Sequence, residues 1–460
     1  MRSWTRRSVL AAGLSLAGCS AIDRPRLDAL YDAAGRGAER PPLIVIPGAF
    51  GSVLRNRRTG EELWPASDSH LLLDNYRDLE LEIDPASLEP RTDDVVASSV
   101  FRRGLGRDFY GAVLDTLEHV GGYRRCHSGP AAGGDCNLYE YVYDFRLDIP
   151  SAARGLAALI RQIREQHGDP SLRVDILAHS TGGMLARYYV RHGERVLPLD
   201  APLAPDFAGA PSIRRLLLVG TPSLGSVQPV LSLLRGEEVG LRRIAPEVVA
   251  TCTGIVQMIP HTGIPWLVDL AGQDVSADIY DIETWREFGW SLFDERIAER
   301  TVAMHGGGLD GRLYLQVLRE YMARQLLRGR RFAEAFATPP DPRDVRAWVL
   351  GGDCAPTLAR LVVESVDGRL CPRERVSDIA APVAGVDYAA LMHEPGDLVV
   401  TRSSLTGRRT ADVSAPRGKD ESLRVAHSVF FCERHQQLMG NASLRDNVLN
   451  ALLSADVDES

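Results

Sequence analysis

From Pro41 onward the chain is punctuated by short, nearly continuous apolar runs: Leu43 to Ile46, Tyr139 to Tyr143, Val174 to Leu177, Leu216 to Val219, Ala347 to Leu350 and Leu423 to Ala426. Runs this short, with no polar alternation, mark strands buried on both faces, as in a parallel sheet. Between them the period changes. Leu156, Leu159, Ile160 and Ile163 share one helical face, with Ser151 placed to cap the helix, and Leu185 to Arg191 continues a helix begun after Gly182. Strands alternating with helices predict an α/β fold, a mostly parallel central sheet flanked by helices.

The interval between Val219 and Ala347 far exceeds an ordinary connection, whose median is roughly 4 to 6 residues. It predicts a large inserted cap or lid domain over about 226–345, between core segments 41–225 and 346–460. A smaller lid-like insertion is expected at about 55–100. Trp266, Trp285, Phe288, Trp290 and Phe293 in the first, and Trp64, Leu71, Leu72, Leu73 and Leu79 in the second, are expected to pack the insertions' own cores. Collectively they are also available to roof an apolar cleft. Gly306 to Gly311 satisfies GxGxxG, but no strand precedes it, which predicts a loop.

Charge narrows the function. Over 460 residues, 53 basic against 61 acidic side chains leave a net charge of -8, which gives no attraction for a polyphosphate backbone, so no nucleic-acid partner is expected. Lys419, the only lysine, is followed by Asp420 rather than Ser or Thr, which excludes a P-loop. The histidines supply no HExxH and no close pair, so neither a metal nor another cofactor is expected.

Arg2, Arg6 and Arg7 precede an apolar stretch from Val9 to Gly18 that is too short to cross a bilayer, the layout of an export signal over 1–18. Leu16-Ala17-Gly18-Cys19 resembles a bacterial lipobox, which implies lipidation of Cys19 as a membrane anchor; Arg6-Arg7 also resembles a twin-arginine signal. A polar tether is expected over 19–40, and a lipid-anchored location in the bacterial cell envelope, with Ser20 resembling lipoproteins sorted to an outer membrane. The even remainder of cysteines favours disulfides in an exported protein. Cys126 with Cys136, and Cys354 with Cys371, are each spaced to close a short loop, leaving Cys252 and Cys432 to pair or stay free. The connectivity is open at this point.

The chemistry concentrates in Val174-Asp175-Ile176-Leu177-Ala178-His179-Ser180-Thr181-Gly182-Gly183: an apolar strand, a turn of small residues, then a helix. That is the setting of a nucleophile elbow, with Ser180 at the turn and Ala178 and Gly182 letting strand and helix approach. A serine hydroxyl needs a histidine to take its proton and a carboxylate to fix that histidine's tautomer. In chain order these are Asp397, in Glu394-Pro395-Gly396-Asp397-Leu398, and His435, after the last strand. Asp353 and His427 are the competing acid and base, Asp144 with Arg146 reads as a structural ion pair, and His179 as a packed neighbour.

These motifs together resemble the lecithin:cholesterol acyltransferase family of α/β-hydrolases, in a bacterial, lipoprotein-type form. Pro47-Gly48-Ala49-Phe50-Gly51-Ser52 is similar to its oxyanion loop and Trp64-Pro65 to its early lid segment. Gly122-Tyr123, Tyr143-Asp144-Phe145-Arg146, Ala178 to Gly183, and Gly220-Thr221-Pro222 with Leu224-Gly225-Ser226 resemble its GY, YDWR, AHSxGG and GTPxxGS motifs. Asp397 stands in an altered GDGTV, and His435 with Leu438 and Asn441 resembles the terminal histidine motif. The resemblance implies an α/β-hydrolase fold in which Ser180, His435 and Asp397 act as triad and the backbone N–H groups of Ala49 and Thr181 meet the oxyanion. It implies a serine-dependent O-acyltransferase or lipase moving an acyl group from a phospholipid or related ester to an alcohol or water. The alternatives are a non-catalytic surface lipoprotein using the same fold for binding, and a short-chain esterase.

Overall fold

The apolar runs read from the sequence line up as one sheet. In the computed structural model, which describes residues 40–454 together with 27 and 31, apart from 66, 74, 127–135, 338, 340 and 411–420, six strands run parallel. They are β1 (Leu43–Ile46), β2 (Leu138–Glu140), β3 (Val174–His179), β4 (Ile213–Val219), β5 (Ala347–Gly352) and β6 (Val425–Phe431). Their order across the sheet is β6-β5-β4-β3-β1-β2. Two bounds differ from the pattern: the run at 139–143 pairs only through Leu138–Glu140, and the last strand starts at Val425 and extends to Phe431.

Strand alternation sorts the side chains between two cores. Ile44, Ile46, Ile176, Leu216 and Leu218 join one; Leu43, Val45, Leu177, Leu217 and Leu350 join the other. The second is covered by α1 (Gly111–His119) and the C-terminal helix Ala442–Leu453, through Leu114, Leu117, Leu444 and Val448. The first is covered by α2 (Ile149–His167) and α3 (Thr181–His192), through Leu156, Ile160, Met184 and Leu185. Each such side chain contributes roughly 1.5–3 kcal/mol on burial. Inside this sheet Asp175 is fully buried, and Arg214 Nε donates to its Oδ1 at 2.8 Å.

Helix α2 begins before the predicted cap. Asp148, in extended conformation, accepts from the Ser151 N–H, and Pro150 fits the first turn, so Ser151 lies inside the helix. An ionised carboxylate complements the helix N-terminus better than a neutral hydroxyl does. Gly168, at φ 64°, closes the other end. The glycine-rich stretch is also not a loop throughout: Gly306 and Gly307, at positive φ, form the turn after a helix that ends at Met304, while Gly308 to Gly311 open a helix running from Gly308 to Phe336. Apolar Leu315, Leu318, Met322 and Leu326 at helical spacing carry it along the core.

The segments between core strands build the walls above the sheet. Between β1 and β2 lies an antiparallel unit of Ser52–Asn56, Glu62–Trp64 and Val95–Val100. Between β4 and β5 lie a short hairpin, Glu237–Val239 with Arg242–Ile244, and several helices. Most of the buried apolar residues of both segments, Trp64, Leu71, Trp266, Trp285 and Trp290 among them, merge with the sheet's own core. A third excursion, between β5 and β6, pairs Ala355–Leu358 with His393–Gly396 and Leu361–Val366 with Arg369–Arg373. Within the segment expected to be a tether, Leu27 is buried and the Tyr31 hydroxyl donates to Asp446 at 2.9 Å.

Among the described residues two disulfides form, and one corrects the spacing argument. Cys126 pairs with Cys136, but Cys354 pairs with Cys432, leaving Cys252 and Cys371 free. Cys354 follows β5 and Cys432 follows β6; these strands are parallel neighbours with Gly352 opposite Phe431, so residues 78 apart in sequence come to a Cα separation of 5.0 Å. Chain-entropy arguments weight the longer closure more heavily, at roughly 4 kcal/mol against under ~3 kcal/mol for the shorter one. The expected outcome is that replacing Cys354 and Cys432 by Ser lowers the Tm more than replacing Cys126 and Cys136, measured by calorimetry. An equal or smaller shift contradicts the assignment.

Candidate active site

Ser180 sits between β3 and α3 with φ 53° and ψ −125°, a conformation few non-glycine residues adopt. Its N–H donates to Val219 O at 2.8 Å, and its carbonyl accepts from Gly183 N–H at 2.9 Å. The turn closes only because its neighbours lack side chains. A Cβ on Gly182 would lie 2.5 Å from Pro47 O, and one on Gly183 would lie 1.9 Å from Thr221 Oγ1. Ala178, where the commoner pattern has glycine, is completely buried.

His435 reaches this turn from beyond β6. Its Nε2 lies 2.9 Å from Ser180 Oγ and its Nδ1 lies 2.7 Å from Asp397 Oδ2. Glycine again makes the approach possible: a Cβ on Gly220, just past β4, would lie 3.1 Å from the His435 ring, and one on Gly352, ending β5, would lie 2.8 Å from Asp397 Cβ. Asp397 is 1% exposed, yet both its oxygens are engaged. Oδ1 accepts from the N–H groups of Val399 and Val400 at 3.0 and 2.7 Å. A carboxylate so held is an acceptor only, which assigns the Nδ1 proton to His435 and leaves Nε2 free to take a proton from Ser180.

The loop carrying Asp397 is pinned from several sides. Leu398 N–H donates to Thr357 Oγ1 at 2.9 Å, and the Ser226 hydroxyl donates to Val399 O, which ties the Gly220–Ser226 motif to the acid. Cys432, bonded to Cys354, holds the chain just before His435. Leu398 itself stands at φ 79° and is 43% exposed, where the family pattern has glycine.

The competing candidates lie elsewhere. Asp353 pairs with Arg402 at 3.5 Å, and His427 lies on β6 with its ring 4.2 Å from that of Trp348. Arg146 is 1% exposed and donates to Asp144 and Asp93 at 2.7 and 2.8 Å, a buried ion pair. His179 is buried, and desolvation pushes its pKa well below the ordinary histidine value, so it stays neutral. Ala49 and Thr181 both line the cleft beside Ser180, and Thr181 is the first residue of α3, where an N–H has no acceptor inside the helix. Cys19 lies outside the described residues.

Above Ser180 opens a cleft of about 730 Å³. Its walls are largely apolar: Phe50, Trp64, Leu71, Phe101, Phe109, Ile255, Met258 and Val399. Phe50 packs on Trp64 and Phe145 at ring separations of 5.3 and 4.7 Å. One side is polar, formed by Gln228, Ser232 and Glu237; burial pushes the Glu237 carboxyl above its ordinary pKa, and it accepts from the Ser232 hydroxyl.

The family model described as Lecithin:cholesterol acyltransferase matches residues 130–280. Over that span the chain is similar to the lecithin:cholesterol acyltransferase family. That span holds the elbow and the Tyr143–Arg146 and Gly220–Ser226 motifs that carry the resemblance. A chain of the Tle4–Tli4 complex superposes with a TM-score of 0.51 at 17% identity, over 90% of this chain and 98% of that one, a likeness of fold. The Bacillus licheniformis lipase BlEst2, in its mature form, aligns with a TM-score of 0.32 at 11% identity, over 91% of this chain and 94% of that one. No curated protein matches the sequence. The family match over that span, with the fold, supports a hydrolase-type enzyme.

Sequence reasoning missed three supports of this site. The Cys354–Cys432 bond was hidden because strand adjacency is not visible in spacing. Tyr110, which bonds to Gly48 and His179, carries no motif of its own. The amides of Val399 and Val400 act through backbone, which side-chain patterns do not report.

With p-nitrophenyl butyrate as substrate, Asp397→Asn is expected to lower kcat by about 10⁴-fold, because it stabilises the wrong tautomer. Asp353→Asn is expected to stay within a few-fold of wild type, and the reverse ranking would reassign the acid. Leu398→Gly is expected to raise the unfolding free energy by about 1 kcal/mol, the left-handed strain less the entropy cost of glycine. Urea denaturation measures it, and a loss of stability would mean that the leucine's contacts outweigh its strain.

Proposed function

We propose that the protein is a serine-dependent lipid acylhydrolase and O-acyltransferase, taking an acyl group from a phospholipid or related lipid ester onto Ser180. The observation that carries this reading is the unbroken chain Ser180–His435–Asp397 at the floor of an apolar cleft. His435 Nε2 accepts the Ser180 proton as Oγ attacks the ester carbonyl, and Asp397 stabilises the imidazolium that forms. The oxyanion is met by the N–H groups of Ala49 and Thr181, donors whose loss typically costs roughly 10² to 10³ in rate. Collapse expels the leaving alcohol, which takes the proton from His435, and leaves an ester on Ser180. An incoming alcohol or water then gives its proton to His435 and attacks that ester, and His435 returns the proton to Ser180 Oγ as the acyl product leaves.

The choice between alcohol and water depends on how far the cleft excludes solvent once lipid fills it. The same proposal puts the protein in the bacterial cell envelope, anchored through lipidated Cys19, where its substrate lies in the neighbouring membrane. The anchor supplies the surface, and the cleft takes the ester from it.

The deciding experiment is mass spectrometry of products formed from phospholipid vesicles containing a long-chain alcohol, for wild type and Ser180→Ala. Wild type is expected to form fatty acid, acyl ester or both, and Ser180→Ala to reduce either by roughly 10⁴-fold or more. Turnover retained by Ser180→Ala would overturn the nucleophile. Activity on p-nitrophenyl butyrate with none on vesicles would turn the reading into a short-chain esterase, and a Ser180 that no fluorophosphonate labels would favour a binding protein.

A further inference from the structure

A second hydrogen-bonded chain runs beside the triad and takes no part in its proton transfer. Tyr110, immediately before α1, is 4% exposed and its hydroxyl accepts the Gly48 N–H at 2.8 Å. The same oxygen lies 2.7 Å from His179 Nδ1. A phenol has one proton, and burial pushes the Tyr110 pKa upward, so the proton stays. With the amide already donating to the oxygen, that proton goes to His179 Nδ1. His179 is then the neutral tautomer protonated at Nε2, consistent with the burial that keeps it uncharged. Its Nε2 has no hydrogen-bond partner, and the His179 and His435 rings lie 4.9 Å apart.

The chain matters because of what Gly48 precedes. A Cβ at Gly48 would lie 2.8 Å from Ser180 Cβ, so the loop needs glycine there, and glycine leaves the backbone free to turn. Two contacts remove that freedom. Tyr110 holds the amide of Gly48, and the Gly51 N–H holds its carbonyl at 3.0 Å. A peptide unit is planar and trans, so fixing the Gly48 carbonyl fixes the direction of the Ala49 N–H on the opposite side of the same plane. The Ala49 N–H is the donor that the proposed function assigns to the oxyanion.

We propose that Tyr110 and His179 are a positioning pair for the oxyanion loop, holding Gly48 so that the Ala49 N–H stays aimed at the carbonyl attacked by Ser180. The inference rests on the Ser180 reading, and it concerns the transition state alone. A ground-state ester makes little use of that amide, whereas a tetrahedral oxyanion depends on it.

The test uses the full chain with p-nitrophenyl butyrate as substrate and butylboronic acid as a tetrahedral mimic. Tyr110→Phe keeps the ring and removes the hydroxyl. It is expected to lower kcat by roughly tenfold to a hundredfold, part of the cost of losing an oxyanion donor. KM is expected to stay within about twofold, with boronate affinity falling in parallel with kcat. His179→Leu removes the other partner and is expected to give a similar loss, and the double variant to be no worse than either single one. His179→Asn, whose amide oxygen can accept the Tyr110 proton, is expected to recover part of the activity.

Losses that add in the double variant, an unchanged kcat, or a rise in KM with boronate affinity preserved would each overturn the pairing. If Tyr110→Phe proves unstable by calorimetry, the His179→Leu and His179→Asn pair decides by the same readouts. Wild-type enzyme that neither turns over the ester nor labels at Ser180 with a fluorophosphonate would overturn the functional reading, and this inference with it. A reactive wild type with an indifferent Tyr110→Phe overturns only the positioning role.

Discussion

The close approach of backbones around Ser180 is the constraint on which the rest depends. The turn from β3 into α3 leaves the serine at φ 53° and ψ −125°, and three glycines around it meet other groups at distances no Cβ could tolerate. Gly182 rests on the end of β1, Gly183 on Thr221, and Gly48 on Ser180 itself. A backbone conformation of this kind costs roughly 1–3 kcal/mol and persists only where its surroundings over-determine it. Here the surroundings are the parallel sheet. β1, β3 and β4 are fixed side by side by their registers, and their C-terminal ends deliver the Gly48–Gly51 loop, Ser180 and the Gly220 turn to one place.

Geometry then becomes electrostatics. Taking a carboxylate, an imidazole and a hydroxyl away from water is unfavourable unless each finds partners. Asp397 finds them in two amides and His435, and His435 finds Asp397 on one side and Ser180 on the other. The loops that carry acid and base leave the sheet at adjacent strands, β5 and β6, and the Cys354–Cys432 bond ties those strand ends together. The buried ion pairs elsewhere, Arg146 with Asp144 and Arg214 with Asp175, satisfy charges in the same way but face no cleft opening at Ser180.

The insertions supply what the sheet cannot. A parallel sheet presents its catalytic groups at strand ends, where loops decide what reaches them. Phe50 and Trp64 from the segment after β1, Ile255 and Met258 from the segment after β4, and Val399 from the segment after β5 form the apolar wall above the serine. The polar side formed by Gln228, Ser232 and Glu237 gives that cleft two chemically distinct faces. Such a space is of the kind the proposed lipid-ester substrate requires.

Sequence alone determined the parts that local pattern encodes. Unbroken apolar runs name the six strands because a strand covered on both faces has no polar side, and small residues flanking Ser180 name the elbow because only they fit the turn. Chain order then pointed to Asp397 and His435, which the fold brings within hydrogen-bonding distance of each other, with His435 also reaching Ser180. Tertiary structure decided whatever depends on which distant residues become neighbours. Asp148 took the cap from Ser151 through its conformation just outside the helix, and Gly308 began a helix because apolar spacing farther along outweighed its glycines. Cys354 met Cys432 because two strands lie side by side, and Tyr110 reached Gly48 and His179 across the fold. Those pairings leave no mark in the sequence, because a hydrogen bond or disulfide is set by distance in space and the chain records only distance along itself.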